Sequence, residues 1–166
     1  MKLFVMSALA GLLAACANPP VSSPSLRVTD ADLEKMLGEG WTGTLIYRDY
    51  SPPFGDVTLP VAIAVTQAPD GLILAIDYPD EPQANSKDLL SVREMGTRLA
   101  GDLVVARREA DQVTFITTRA PCDDDGQASI CEHVYTFGPS SFGMEKFVTP
   151  KDGGETIRRN AYVLTR

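Results

Sequence analysis

His133 is the one histidine in 166 residues, so chemistry that needs several imidazoles, a multi-histidine metal site above all, is excluded at the outset. If Ser129 to Phe137 is a strand, alternation places Cys131 and Tyr135 on the face of His133. The expected role of a lone histidine in such a run is a surface or satisfied core residue. A His133 set deep within hydrogen-bond reach of a carboxylate would instead favour an enzyme. Asp123-Asp124-Asp125-Gly126 has the acids for a calcium loop but not the alternating spacing that turns them toward one ion, and it reads as a solvated turn. Asp49, Asp77 and Glu94 fall among predicted strands with no acid-base pairing legible between them. No Gly-rich phosphate loop, nucleophile elbow or Walker-type motif is present. The expectation is a protein that is not an enzyme, with no catalytic residue, metal or cofactor.

A second set of residues could line a ligand site. Tyr47, Tyr78, Tyr135 and Tyr162 each fall on a predicted strand, as do Arg48, Arg98 and Arg107. In a barrel, inward-pointing members of this set would give an apolar lumen with a few hydroxyl and guanidinium donors, suited to an acidic lipid-like or other amphiphilic ligand. Tyr47, Tyr78, Arg98, Tyr135 and Tyr162 are the candidate lining residues. The competing expectation is a solid barrel, its interior filled by Val57, Leu59, Val61, Ile63 and Val65.

The elements that must position these residues are mostly strands. Thr29-Asp30-Ala31-Asp32 supplies N-cap chemistry ahead of Leu33, Met36 and Leu37, and Gly38 with Gly40 ends that short helix. From Trp41 the apolar period becomes two, most clearly where Val57, Leu59, Val61, Ile63 and Val65 alternate with smaller or polar residues. Further strands are predicted over Trp41 to Tyr50, Leu72 to Tyr78, Lys87 to Glu94, Thr97 to Arg108, Gln112 to Arg119, Ser129 to Phe137, Phe142 to Thr149 and Glu155 to Thr165. Turn signals such as Pro69-Asp70-Gly71 and Lys151-Asp152-Gly153-Gly154 separate them at short spacing. Eight or nine strands joined by hairpin-sized links predict an all-β, antiparallel up-and-down barrel, because closure removes exposed edges. A β-sandwich is the alternative, and only residues 80–86 are long enough for its crossing connection.

The first sixteen residues give an address. Lys2 precedes the apolar run Leu3 to Leu12, too short to span a bilayer, and Leu13-Ala14-Ala15-Cys16 follows. This resembles the lipobox of a bacterial lipoprotein signal peptide. The resemblance implies cleavage before Cys16 and its acylation, with the lipid bilayer as partner. Ordinary secretion, with cleavage by the small-x-small rule, is the alternative. Ala17, in place of the Asp of an inner-membrane signal, points to the periplasmic leaflet of the outer membrane. Residues 1–15 are then the signal, 16–28 a Pro- and Ser-rich tether, and 29–166 one domain. Loss of the signal makes the chain one unit more negative than its −7, a charge that disfavours nucleic acid and anionic lipid surfaces. With Cys16 assigned to lipid in an oxidising compartment, Cys122 and Cys131 are left as a disulfide pair pinning a hairpin end. His133 then has no thiolate beside it.

Gly40-Trp41-Thr42-Gly43 after a short helix, and the closing run Arg158-Arg159-Asn160-Ala161-Tyr162-Val163-Leu164-Thr165-Arg166, resemble the calycin, or lipocalin-like, barrels. The resemblance implies Trp41 on the barrel floor with an arginine packed over it, Arg159 or Arg166. Glu39 stands where the family's Gly-x-Trp would place glycine. Together these readings predict an anchored envelope protein that binds or carries a small apolar or amphiphilic ligand. The alternative is a non-enzymatic structural or assembly protein acting through the barrel exterior, for which exposed apolar residues on one wall would be the sign.

Overall fold

Period-two alternation from Trp41 onward builds ten antiparallel strands: β1 (Gly38–Asp49), β2 (Gly55–Ala68), β3 (Gly71–Asp77), β4 (Ser86–Arg93), β5 (Arg98–Leu99), β6 (Asp102–Ala110), β7 (Val113–Asp124), β8 (Gln127–Phe137), β9 (Ser141–Pro150) and β10 (Ile157–Thr165). In this computed structural model, which describes residues 26–166, each strand pairs with the next and β1 pairs with β10, closing the sheet into a barrel. The signal, Cys16 and the tether as far as residue 25 lie outside the described residues. The count is ten strands, above the eight or nine expected. The predicted strand Thr97 to Arg108 folds back on itself at Ala100 and Gly101, whose φ angles are +53° and +88°. Gly101 and Asp102 are turn formers, but Ala100, which must share the left-handed region with Gly101, gives no such signal.

One end of the barrel is sealed. Helix α1 (Asp30–Glu34) begins with a capping box in which the Thr29 hydroxyl accepts from the Asp32 amide and the Asp32 carboxylate accepts from the Thr29 amide. The chain then enters β1, where Trp41 is 0% exposed. Its indole N–H donates to the Met36 carbonyl at 2.8 Å, and its ring meets Phe142 edge-on, with centroids 5.7 Å apart. Phe137, Leu72, Leu99 and Leu164 pack with it in the same buried core. Arg166 lies 4.1 Å over the Trp41 ring and donates to the Lys35, Leu37 and Pro139 carbonyls, so the last residue ties α1 to the floor.

The opposite end carries the long β7–β8 hairpin. Asp125 and Gly126 both have positive φ, as a two-residue hairpin turn requires, and the Gly126 amide donates to the Asp123 carboxylate. Cys122 and Cys131 are joined by a disulfide, Cα to Cα 5.7 Å. Their registered partners are Ser129 and Ala120, so the bond crosses the strand pair diagonally on its inner face.

The wall is not equally continuous all the way round. β4 meets β5 through Val92↔Leu99 and Arg93↔Arg98 alone, and β5 meets β6 through Arg98↔Leu103 and Leu99↔Asp102. Beyond the tip of that short hairpin, residues 86–90 of β4 pair only with β3, and residues 120–124 of β7 pair only with β8. The barrel therefore has a notch in its side, reaching from the open end down to Ala100 and Gly101.

A side-opening cleft as candidate functional site

A cleft of about 200 Å³ lies behind this notch, lined by Leu74 and Ile76 of β3, Asp88, Leu89 and Leu90 of β4, Ala100, Tyr135 of β8, Met144 of β9 and Tyr162 of β10. Alternation explains the lining, since Leu74, Ile76, Leu90 and Tyr135 are the buried members of their strands. Tyr135 and Met144 are registered partners, one inner-face rung above Phe137 and Phe142. The lumen thus passes from an aromatic floor to a layer of phenols and a thioether.

The phenols are linked. The hydroxyls of Tyr78 and Tyr162 lie 2.6 Å apart, one donating to the other. Burial raises the Tyr162 phenol well above its ordinary value, with the Tyr78 bond and the Asp88 charge adding to the rise, and burial likewise raises Tyr135. Both remain neutral hydroxyls at any physiological pH. Asp88 is the one charged side chain lining the cleft among the described residues, and it accepts a hydrogen bond from the Ser86 hydroxyl at 3.0 Å.

The next rung toward the open end is charged. His133 and Lys146 are registered partners, and His133 Nδ1 lies 3.1 Å from an Asp102 carboxylate oxygen at the start of β6. Burial pulls His133 below its usual value, Lys146 adding to this and Asp102 opposing it. Nearer the end, the Tyr50 hydroxyl donates to Asp124 at 2.7 Å, and Lys146 and Arg159 approach the same carboxylate at 3.7 and 3.5 Å. The hydroxyl of Thr118, fully buried, meets no acceptor or donor at full hydrogen-bond geometry among the described residues, its polar neighbour being the Tyr135 hydroxyl.

Of the candidate lining residues, Tyr135 and Tyr162 lie in the cleft, and Tyr78 reaches it through its bond to Tyr162. Tyr47 packs against the core outside the cleft. Arg98 is a correction: it bonds Glu94 and the Gly101 carbonyl on the outer surface. Arg48 pairs with Asp56, and Arg107 with Asp32 at the sealed end, so none of the three lends a cation to the cleft. Arg159 is a second correction. It packs 4.4 Å over the Tyr50 ring at the open end, because β10 descends toward the floor and leaves Arg166, not Arg159, beside Trp41. The sequence reading missed Asp88, Leu90 and Met144. The alternation of Asp88 with Leu90 in a predicted strand was a signal for two of them.

The outer surface holds a second concavity. Ala62, Ala64 and Ala75 floor a groove of about 420 Å³ on β1 to β4, rimmed by Glu39, Asp77 and Lys87. Ile73 and Leu89, 37% and 50% exposed, are registered partners on this wall. No protein-family model, curated protein or solved structure matches this chain.

Proposed function

We propose that the chain is an acyl-anchored envelope lipoprotein of calycin-like type whose lumen binds or carries a small apolar or amphiphilic molecule. The side-opening cleft carries this reading: a concave site lined by Leu74, Ile76, Leu90 and Met144, with phenols to orient a polar group. The stacking of Arg166 on Trp41 supports the calycin-like assignment, and the lipobox at Cys16 supports the anchor. At about 200 Å³ the cleft falls below the roughly 300 Å³ of the smallest ordinary ligand sites, so it fits a short chain or one ring, not a whole lipid.

Native mass spectrometry of protein extracted from its own membrane tests both halves. The reading expects an acylated N-terminus at Cys16 and a small-molecule adduct that is lost when Met144→Trp fills the cleft. An unmodified chain beginning at Asn18 would overturn the anchor. Adduct-free protein, or an adduct indifferent to Met144→Trp, would overturn the carrier.

Two observations bear on other readings. The alanine-floored groove and the exposed Ile73 and Leu89 favour the alternative, an envelope structural or assembly protein acting through its outer wall. His133 meets in part the condition for an enzyme, since Asp102 is within hydrogen-bond reach. The pair has the form of a base and its orienting carboxylate, yet no Ser or Thr hydroxyl hydrogen-bonds to His133 among the described residues, and Cys131 is held in the disulfide. Binding remains the better account.

A further inference from the structure

We infer that the head group this cleft selects is cationic: its ligand is a small amine or quaternary ammonium compound bearing a short chain or a single ring. The inference rests on the carrier reading and adds the chemical class of the cargo. An acidic ligand is what inward arginines would have suited, and those arginines are elsewhere: Arg98 on the outer surface, Arg48 with Asp56, Arg107 with Asp32. What lines the cleft is the opposite set. Asp88 contributes a carboxylate at the notch, and among the described residues no basic side chain lines the cleft. The closest inward cation along the wall, Lys146, lies one rung higher and is directed to Asp124 at 3.7 Å.

Tyr135 and Tyr162 supply aromatic surface, with Tyr78 held behind Tyr162. Ring faces attract an ammonium group through their quadrupole, and a carboxylate at the rim adds a charge partner. The thioether of Met144 and the side chains of Leu74, Ile76 and Leu90 leave an apolar remainder for the chain or ring. The excess of 22 acidic over 15 basic residues draws cations toward the molecule as a whole. The cleft's size admits a probe of about ten non-hydrogen atoms and little more.

The test is calorimetry on the acylated full chain held in dodecyl maltoside micelles, which carry no ammonium group, with empty micelles as blank. The probes are benzyltrimethylammonium, benzyl alcohol and phenylacetate, which share a ring and differ in charge. Benzyltrimethylammonium is expected to bind tightest, and Asp88→Asn is expected to weaken it by about three- to fivefold while leaving benzyl alcohol unchanged. Tyr162→Phe keeps the ring and most of the affinity, whereas Tyr162→Leu loses more. Glu39→Gln, on the outer groove, leaves binding intact. Phenylacetate or benzyl alcohol binding as tightly as the cation would overturn the head-group inference and leave the carrier standing. Loss of cation binding in Glu39→Gln but not in Asp88→Asn would move the site to the outer wall and overturn it as well. If none of the three binds, the carrier reading fails and takes this inference with it.

Discussion

The sealed end of the barrel and the notch in its side are built from the same strands but treat polar groups in opposite ways. At the sealed end Asp32, with a side chain 2% exposed, accepts from Arg107 at 2.8 Å, from Thr114 at 3.0 Å and from Thr29, while the Trp41 indole and the Arg166 guanidinium spend their donors on backbone carbonyls. Beside the notch the Thr118 hydroxyl has only the Tyr135 hydroxyl near it, short of full hydrogen-bond geometry, one proton of the Tyr78–Tyr162 pair has no acceptor among the described residues, and Leu89 is 50% exposed. The contrast teaches where stability is invested: the floor fixes the fold, and the notch leaves polar groups free to meet something else.

Substitutions sharpen this contrast. The largest effect is expected for Trp41→Ala, about 3–5 kcal/mol by chemical denaturation, because it opens a cavity on the floor and strips the ring beneath Arg166. Leu89→Ala at the notch is expected to stay within about 0.5 kcal/mol. Similar costs at the two positions would erase the distinction.

Asp32→Asn comes next, at about 2 kcal/mol, since it weakens the cap of α1 and leaves Arg107 with only the longer, more exposed pairing to Glu109 at 3.6 Å. Although burial pulls the Asp32 carboxyl up, the bonds from Arg107, Thr29 and Thr114 outweigh it and hold the group below its ordinary 3.8. A depressed carboxyl stabilises the fold above that unfolded value, and the contribution disappears as pH falls through the lower folded value. Acid titration of Asp32→Asn should therefore show a shallower loss of stability below about pH 4 than the native chain. An unchanged acid profile would mean the carboxylate is not held as described.

The smallest effect belongs to His133. Its folded value is depressed, so below the unfolded 6.5 the unfolded chain takes up the proton first and stability falls with pH until the folded value is reached. Thermal melts from pH 7.5 to 5.5 should show a modest decline that His133→Gln flattens. A native chain that gains stability over that range would show that the charge of Asp102 outweighs burial, and that the pair grips the β6 tip more firmly when protonated.

Much of this architecture could be read from residue order, for reasons that differ by region. The alternation in residues 57–65 placed Val61, Ile63 and Val65 inside, and Thr29 with Asp32 announced the cap, because both signals are local. The Cys122–Cys131 pairing was legible by elimination, because assigning Cys16 to lipid leaves these two cysteines for each other. The notch was not, since it depends on Ala100 adopting a positive φ that its side chain does not advertise. Arg159 was misplaced because seven residues of strand, about 23 Å, separate it from Arg166, and a register shift between Arg158 and Asn160 alters which way it faces. Arg98 faces outward because its strand neighbour Leu99 takes the inner face, and the turn at Ala100 and Gly101 breaks the alternation before a longer run can show it.

Residue-resolved amide hydrogen exchange tests the side opening most directly, since it reads the wall strand by strand. The account predicts that residues 86–90 of β4 and the β5–β6 tip exchange far faster than β8 and β9, and that saturating benzyltrimethylammonium slows exchange at that seam first. Uniform protection around the barrel, or slowing confined to the part of the outer groove on β1 to β3, would contradict it.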